Sequence, residues 1–122
     1  MKILISPAKS LDFENKVETG YSSNPIFSEK AKYINDIIKD LSPSDLGQLM
    51  SISPKLSDLN WKRNQEFQNL NSSQKQAIFA FNGDVYDGID ISSISTDKHK
   101  KIQESVRILS GLYGILKPFD NI

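Results

Sequence analysis

The stretch Lys2-Ile3-Leu4-Ile5-Ser6-Pro7 opens the chain and predicts the first β-strand of the fold. Ile3 to Ile5 form a short apolar, largely β-branched run, and the Ser-Pro pair ends it because proline cannot donate to a strand ladder. Both faces of this strand carry apolar side chains. We therefore expect a buried strand that requires partner strands on either side.

A second strand is predicted over Ala77–Phe81, where Asn82-Gly83 ends another apolar run. Two short strands do not make an independent sheet of useful size. Two interpretations stay open on this pattern. The chain is a fragment whose partner strands lie downstream, or it is a small α+β domain with one short hairpin.

Helices are predicted between and after these strands. Ser42-Pro43 and Ser53-Pro54 each combine a serine N-cap with proline at the first helical position. The third helix has helical spacing at Leu56, Leu59, Arg63, Phe67 and Leu70, before a break or cap at Asn71-Ser72-Ser73. Further helices are predicted from Ser28 to about Leu41, from Ser95-Thr96-Asp97 to about Leu109, and from Leu112 to Leu116. The expected class is mixed α/β, helix-rich with short strands.

Composition excludes several classes of protein. The 122 residues carry 15 Lys+Arg and 15 Asp+Glu, no cysteine and one histidine, His99. Disulfide scaffolds, thiolate zinc sites, cysteine nucleophiles and multi-histidine metal sites are therefore excluded within these residues. Apolar runs are too short for a membrane span, and the N-terminus lacks a signal-peptide pattern. We expect a cytoplasmic protein without metal or cofactor, and a solvent-exposed His99.

A local basic segment interrupts the neutral chain. From 98 to 119 the charges are Lys98, Lys100, Lys101, Arg107 and Lys117 against Glu104, a local +4. They surround the turn Ser110-Gly111-Leu112-Tyr113-Gly114 between two predicted helices, the layout of a helix-hairpin-helix element that binds phosphate through backbone N–H groups. The alternative is that Gly111 ends a helix, that Gly114 permits close packing, and that the lysines form a solvated helix face.

A second candidate site follows the predicted strands. Ser6 and Lys9 lie just after the first strand, and Asp84, Tyr86 and Asp87 follow the second. Such strand ends are where α/β proteins bind ligands, and two carboxylates can act as acid and base. Ordinary turn chemistry explains the same residues, so no catalytic residue is assigned.

Four stretches in order resemble the YaaA family, the bacterial peroxide stress proteins. They are Ile3-Leu4-Ile5-Ser6-Pro7-Ala8-Lys9, Ser53-Pro54-Lys55-Leu56, Ala77-Ile78-Phe79-Ala80-Phe81-Asn82-Gly83-Asp84-Val85-Tyr86 and Leu109-Ser110-Gly111-Leu112-Tyr113-Gly114-Ile115-Leu116-Lys117-Pro118. The resemblance runs from Met1 to Ile122. Because family members continue further, it implies that residues 1–122 are the N-terminal portion of a single, truncated domain whose C-terminal half is missing.

The resemblance also implies a function. The family limits free intracellular iron under peroxide stress and is described as DNA-binding, with a helix-hairpin-helix beside a basic cleft. This implies a hairpin at Ser110–Gly114 and a monomer that binds duplex or branched DNA, with no membrane partner. Basic positions that match the family are Lys9, Lys55, Arg63, Arg107 and Lys117, whereas Asn82 stands where relatives can carry lysine. The alternative is an enzyme acting on a nucleotide or nucleobase, with a pocket at Ser6, Asp84 and Tyr86.

Overall fold

The structure, a computed structural model, describes residues 1–17, 19–67, 69 and 73–122. In chain order its elements are β1 (Ile3–Ile5), β2 (Ser10–Leu11), α1 (Ser28–Ile38), α2 (Pro43–Met50), α3 (Pro54–Gln65), α4 (Ala77–Ala80), β3 (Phe81–Asn82), α5 (Asp84–Ile89), 3-10 turns at Ile91–Ser93 and Thr96–Lys98, α6 (His99–Ser105), β4 (Val106–Ser110) and β5 (Gly114–Leu116). The expected mixed α/β class, with short strands and several helices, is confirmed.

The residues form two compact units. The first contains Met1–Ser28 and Ser73–Ile122, and the second contains Glu29–Ser72. In the first unit β1, β4 and β5 form a sheet in that order, while β2 and β3 form a separate antiparallel pair. β1 runs parallel to β4, with Ile5 opposite Ile108, and β4 runs antiparallel to β5.

The core of the first unit lies on one face of the three-stranded sheet. Ile108 and Leu116 are fully buried there, and Ile5 packs against the same cluster from β1. The other buried members are Ala77, Ile78, Ala80, Phe81, Tyr86, Ile91, Phe119 and Ile122. The prediction of a fully buried first strand is wrong for this chain, because Ile3 and Leu4 are exposed.

In the second unit, both predicted serine caps are confirmed. The Ser42 hydroxyl accepts the Asp45 N–H at 3.1 Å, and the Ser53 hydroxyl accepts the Leu56 N–H at 3.3 Å. These bonds satisfy backbone donors that a helix start leaves without partners. Leu59 lies on α3, as its spacing predicts, and is exposed. Leu70 and the predicted break at Asn71-Ser72 lie outside the described residues.

Residues 77–81 correct one prediction of secondary structure. The predicted strand is a single helical turn, α4, and only Phe81 continues into β3. The Ala77 and Ile78 N–H groups donate to the carbonyls of Asp120 and Pro118. The C-terminal segment therefore occupies the backbone donors at the start of this run.

Residues 106–116 correct a second prediction. The helix expected to reach Leu109 ends at Ser105, and no helix starts at Leu112. Val106–Ser110 is instead the central strand of the sheet, which buries Ile108 between β1 and β5. Tertiary pairing overrides local helix propensity here. The predicted helix-hairpin-helix is therefore a β-hairpin.

Candidate functional site

The parallel pair of β1 and β4 brings two predicted segments to the same edge of the sheet. The loop that starts at Ser6 leaves the carboxyl end of β1, and the turn 111–113 leaves the carboxyl end of β4. Ligands of parallel sheets bind at this edge because loops, rather than strand interiors, present free polar groups there. We call the segments 6–9, 83–87 and 110–114 the carboxyl-edge site.

Tyr86 ties α5 to the loop after β1. Its hydroxyl donates a 2.6 Å hydrogen bond to the Ser6 carbonyl, and its ring lies 5.4 Å from that of Phe81. Burial raises the pKa of Tyr86 to about 12, because an ionised phenolate would lose its hydration. The structure therefore joins the predicted pocket residues Ser6 and Tyr86, and keeps Tyr86 a neutral donor.

Asp84 lies in the first turn of α5 and is exposed, as is Asp87. Acidic side chains at a helix start are stabilised by the helix dipole, which gives both carboxylates a structural reason to be there. Pairing of Ser10 with Asn82 holds this segment beside the strand-end loop that carries Lys9. In the part of the chain that the structure describes, the Ser6 carbonyl is bonded to Tyr86 and not to Asp84.

The turn 110–114 closes the β-hairpin. The Ser110 hydroxyl accepts the Tyr113 N–H at 3.1 Å, and Gly114 has a φ of +72°, a conformation that glycine adopts without strain. Leu112 and Tyr113 are half-buried, whereas Gly111 is exposed. Burial raises the pKa of Tyr113 to about 12.

The basic segment does not surround this turn in space. Lys98, Lys100 and Lys101 are exposed beside the amino end of β4, because α6 runs directly into that strand. Four residue steps of strand, about 13 Å, separate Val106 from Ser110. Lys117 follows β5, whose antiparallel direction also returns it toward the amino end. The local +4 is therefore displaced from the turn that it was predicted to flank.

Arg107 has a structural role at the end of α6. Its Nη1 donates to the carbonyls of Gln103 at 2.8 Å and Val106 at 2.6 Å, where helix carbonyls lack intrahelical partners. The family-matched Lys55 and Arg63 both lie on α3, in the second unit, where Lys55 is exposed and Arg63 is half-buried.

His99 corrects another prediction, since only 4% of it is exposed. Its ring lies 4.9 Å from that of Phe119, and its Nε2 has no hydrogen-bond partner. The sequence offered a signal for this burial, because His99 is three residues before Ile102 on the inward face of α6.

A polar network under α6 was also missed. The Gln103 side chain accepts the Phe119 N–H at 2.9 Å and donates to the Ser23 hydroxyl at 2.7 Å. That hydroxyl donates to the fully buried Asp120 at 2.5 Å. Sequence spacing gave no indication of it, because Ser23 and Asp120 are 97 positions apart.

Two features are absent from the described residues. No group of three or more His, Cys, Asp or Glu side chains in them could hold a metal ion. No helix in that part of the chain combines the length and hydropathy needed to cross a bilayer.

Comparison with known proteins identifies the family. The family model described as "Peroxide stress protein YaaA" matches residues 1–122. A UPF0246 protein of Flavobacterium johnsoniae is 48% identical over 122 residues, covering 98% of this chain and 48% of the relative. A UPF0246 protein of Cupriavidus pinatubonensis is 48% identical, and the match covers 98% of this chain and 47% of the relative. A UPF0246 protein of Acaryochloris marina is 44% identical, and the match covers 100% of this chain and 49% of the relative. The chain spans about half the length of these relatives, and it belongs to the peroxide stress protein YaaA family.

Proposed function

We propose that this chain is part of a bacterial protein of the peroxide stress response that binds DNA without base specificity. In this proposal the protein does not store metal. It limits free intracellular iron indirectly, and this effect depends on its binding to DNA. Family membership supports the stress role. The observation that supports DNA binding is a cluster of exposed lysines at the start of α6, with Lys98 directly before the helix and Lys100 and Lys101 on it, which we call the α6 lysines.

The buried face of α6 directs these lysines outward. His99 and Gln103 are buried and Ile102 is half-buried, so the adjacent positions 100 and 101 lie on the solvent side. Neither of the ion pairs recorded between described residues, Lys39–Asp36 and Lys75–Asp12, involves an α6 lysine. The ammonium groups of the α6 lysines are therefore available to bind phosphates.

Lys2 adds a further positive charge beside α6, because its ammonium donates to the Glu104 backbone carbonyl. Asp97 and Glu104 oppose part of this charge, which leaves four lysines against two carboxylates. Such a modest local excess suits salt-dependent contacts to phosphates rather than base readout. Contributions from Lys9, Lys55, Arg63, Arg107 and Lys117 stay predictions.

The test is the affinity of this chain for a fluorescent DNA duplex, measured by anisotropy at low salt. Replacing Lys98, Lys100 and Lys101 together by alanine is expected to weaken binding at least tenfold. The control replaces the exposed Lys30, Lys32 and Lys62, which removes the same charge from the second unit. An equal loss in both triple variants would leave only net charge as the cause, and would contradict the proposal.

The proposed limitation of free intracellular iron requires a cellular measurement. A strain carrying the family-length gene with the α6 lysines replaced is expected to show more free iron by electron paramagnetic resonance after peroxide treatment. Free iron equal to that of the unmodified strain would remove the proposed link between DNA binding and iron.

A second candidate is an enzyme that acts on a nucleotide or nucleobase at the carboxyl-edge site. The hydrogen bond from Tyr86 to Ser6 favours this candidate, because the bond holds two predicted pocket segments together. Thermal shift with nucleotides tests this candidate, and Asp84→Asn is expected to reduce any shift. Asp87→Asn, on the same helix and equally exposed, is the matched control. Absence of a shift with every nucleotide would exclude the candidate for this chain.

A further inference from the structure

A cavity of about 680 Å³ opens beside the start of α6, within the first unit. Cavities of this size are typical of sites for small molecules. Its lining is formed by Val17, Thr19, Gly20, Tyr21, Thr96 and His99. None of these residues belongs to the carboxyl-edge site, so the cavity is a separate feature of the unit. We call it the α6 cavity.

The wall of the α6 cavity contains a buried histidine. His99 is 4% exposed, and its Nε2 has no hydrogen-bond partner in the part of the chain that the structure describes. In a neutral imidazole this nitrogen is either a donor or an acceptor. A buried group of that kind is destabilising without a partner, because it has lost its hydration. A ligand in the cavity can supply the partner.

Phe119 holds two aromatic side chains of this wall in position. Its ring is fully buried and lies 4.9 Å from that of His99 and 5.5 Å from that of Tyr21. Tyr21 is also fixed through its backbone, because its N–H donates to the Thr19 hydroxyl at 3.2 Å, and 37% of the residue stays exposed. The cavity therefore offers aromatic surface that is already ordered, against which a planar ring packs at little cost in entropy.

Charged side chains lie around the α6 cavity rather than in its lining. The six lining residues include no acidic residue, lysine or arginine, and the hydroxyls of Thr19 and Thr96 can both donate and accept. This lining suits an uncharged group that forms hydrogen bonds. Lys98 and Lys100 are exposed on either side of the buried histidine, and Asp97 opposes one of these charges. A ligand with an uncharged ring and an anionic end matches this arrangement.

We propose that the α6 cavity binds a nucleotide, with its base against Tyr21 and His99 and its phosphate at Lys98 and Lys100. A nucleobase is a planar, uncharged ring that carries donors and acceptors and packs on aromatic side chains. A free mononucleotide and an unpaired nucleotide of a DNA strand share this chemistry. The phosphate contact rests on the proposed binding of DNA by the α6 lysines, whereas the base contact does not.

Nuclear magnetic resonance tests the base contact directly, because His99 is the one histidine of the chain and its imidazole signals are unambiguous. Adenosine or uridine monophosphate, or a single-stranded DNA decamer, is expected to shift the Nε2 resonance. Ribose 5-phosphate, which lacks a base, is expected to leave it unchanged. A shift with a mononucleotide supports a free nucleotide as the ligand, and a shift with the decamer alone supports an unpaired nucleotide of DNA. No shift with any of the three, or an equal shift with ribose 5-phosphate, would overturn the proposal.

Substitutions locate the nucleotide, with affinity measured by isothermal titration calorimetry. His99→Phe keeps a ring beside Phe119 and removes the ring nitrogens, and is expected to weaken binding at least tenfold. Thr96→Val changes an exposed position of the cavity wall without touching the core, and is expected to weaken binding as well. Ser92→Ala, exposed on the preceding 3-10 turn, is the matched control and is expected to have no effect. Binding that neither cavity substitution weakens, or that Asp84→Asn abolishes, would overturn the proposal.

Failure of this proposal and failure of the proposed DNA binding give different results. If replacing the α6 lysines weakens duplex binding while no nucleotide or decamer shifts His99, the cavity proposal alone is wrong. If a mononucleotide shifts His99 while the chain has no affinity for duplex DNA, the proposed DNA binding alone is wrong.

Discussion

The Tyr86 hydroxyl donates a 2.6 Å hydrogen bond to the Ser6 carbonyl, across 80 positions of sequence. This bond fixes the loop that follows β1 against α5, beside the ring of Phe81, which is tilted 31° from that of Tyr86. It joins two segments of the carboxyl-edge site.

Replacing Tyr86 by phenylalanine removes this bond and keeps the ring. We expect the free energy of unfolding to fall by about 1 kcal/mol, because the Ser6 carbonyl loses its donor in a partly buried setting. Urea denaturation measures the change. Tyr33→Phe, at an exposed tyrosine of α1, should leave the midpoint unchanged. A Tyr86 variant as stable as the parent would mean that packing alone positions α5.

Alkaline pH should destabilise the first unit through Tyr86 and Tyr113. Burial raises the pKa of Tyr86 and of Tyr113 to about 12, from an unfolded value of about 10. A folded pKa above the unfolded one means that the stabilisation is complete below about pH 10 and is lost as pH rises toward 12. The midpoint of urea denaturation should fall as pH rises from about 10 to about 12, and it should fall less steeply in the Tyr113→Phe variant than in the parent chain. A slope unaffected by that substitution would contradict the assignment to Tyr113.

Gly47 and Ser57 should be coupled across the contact between α2 and α3. A Cβ at Gly47 would clash with the Ser57 hydroxyl, which is buried and donates to the Ser53 carbonyl at 2.9 Å. Gly47→Ala should therefore destabilise the second unit despite the better helix propensity of alanine. In a Ser57→Ala background the same change should be neutral or stabilising. A double-mutant cycle with coupling below about 0.5 kcal/mol would contradict this contact.

Local signals in the sequence predicted local structure well. Ser42 and Ser53 were predicted as helix caps because capping depends on residues three positions away, and both bonds are present. Val106–Ser110 was misassigned as helix because its strand conformation depends on pairing with β1, about 100 residues earlier. Pairing over that distance leaves no local pattern when the strand is short and follows a helix directly.

The candidate sites also include one prediction that the structure supports and one that it does not. Ser6 and Tyr86 were predicted together because both follow apolar runs, and the structure joins them. The lysines were predicted to flank the turn because they are near it in sequence, whereas the extended β4 separates them from it. Lys2 was missed, since its contact with Glu104 exists only after β1 pairs with β4.

The salt dependence of DNA binding tests the central claim most directly. For duplex DNA, each phosphate contact contributes about 0.9 to the slope of log affinity against log salt concentration. Replacing Lys98, Lys100 and Lys101 by alanine should make that slope shallower by about 2.7, whereas the Lys30, Lys32 and Lys62 control should leave it unchanged. The same slope in the α6 variant as in the parent chain, or a parent slope near zero, would contradict the account.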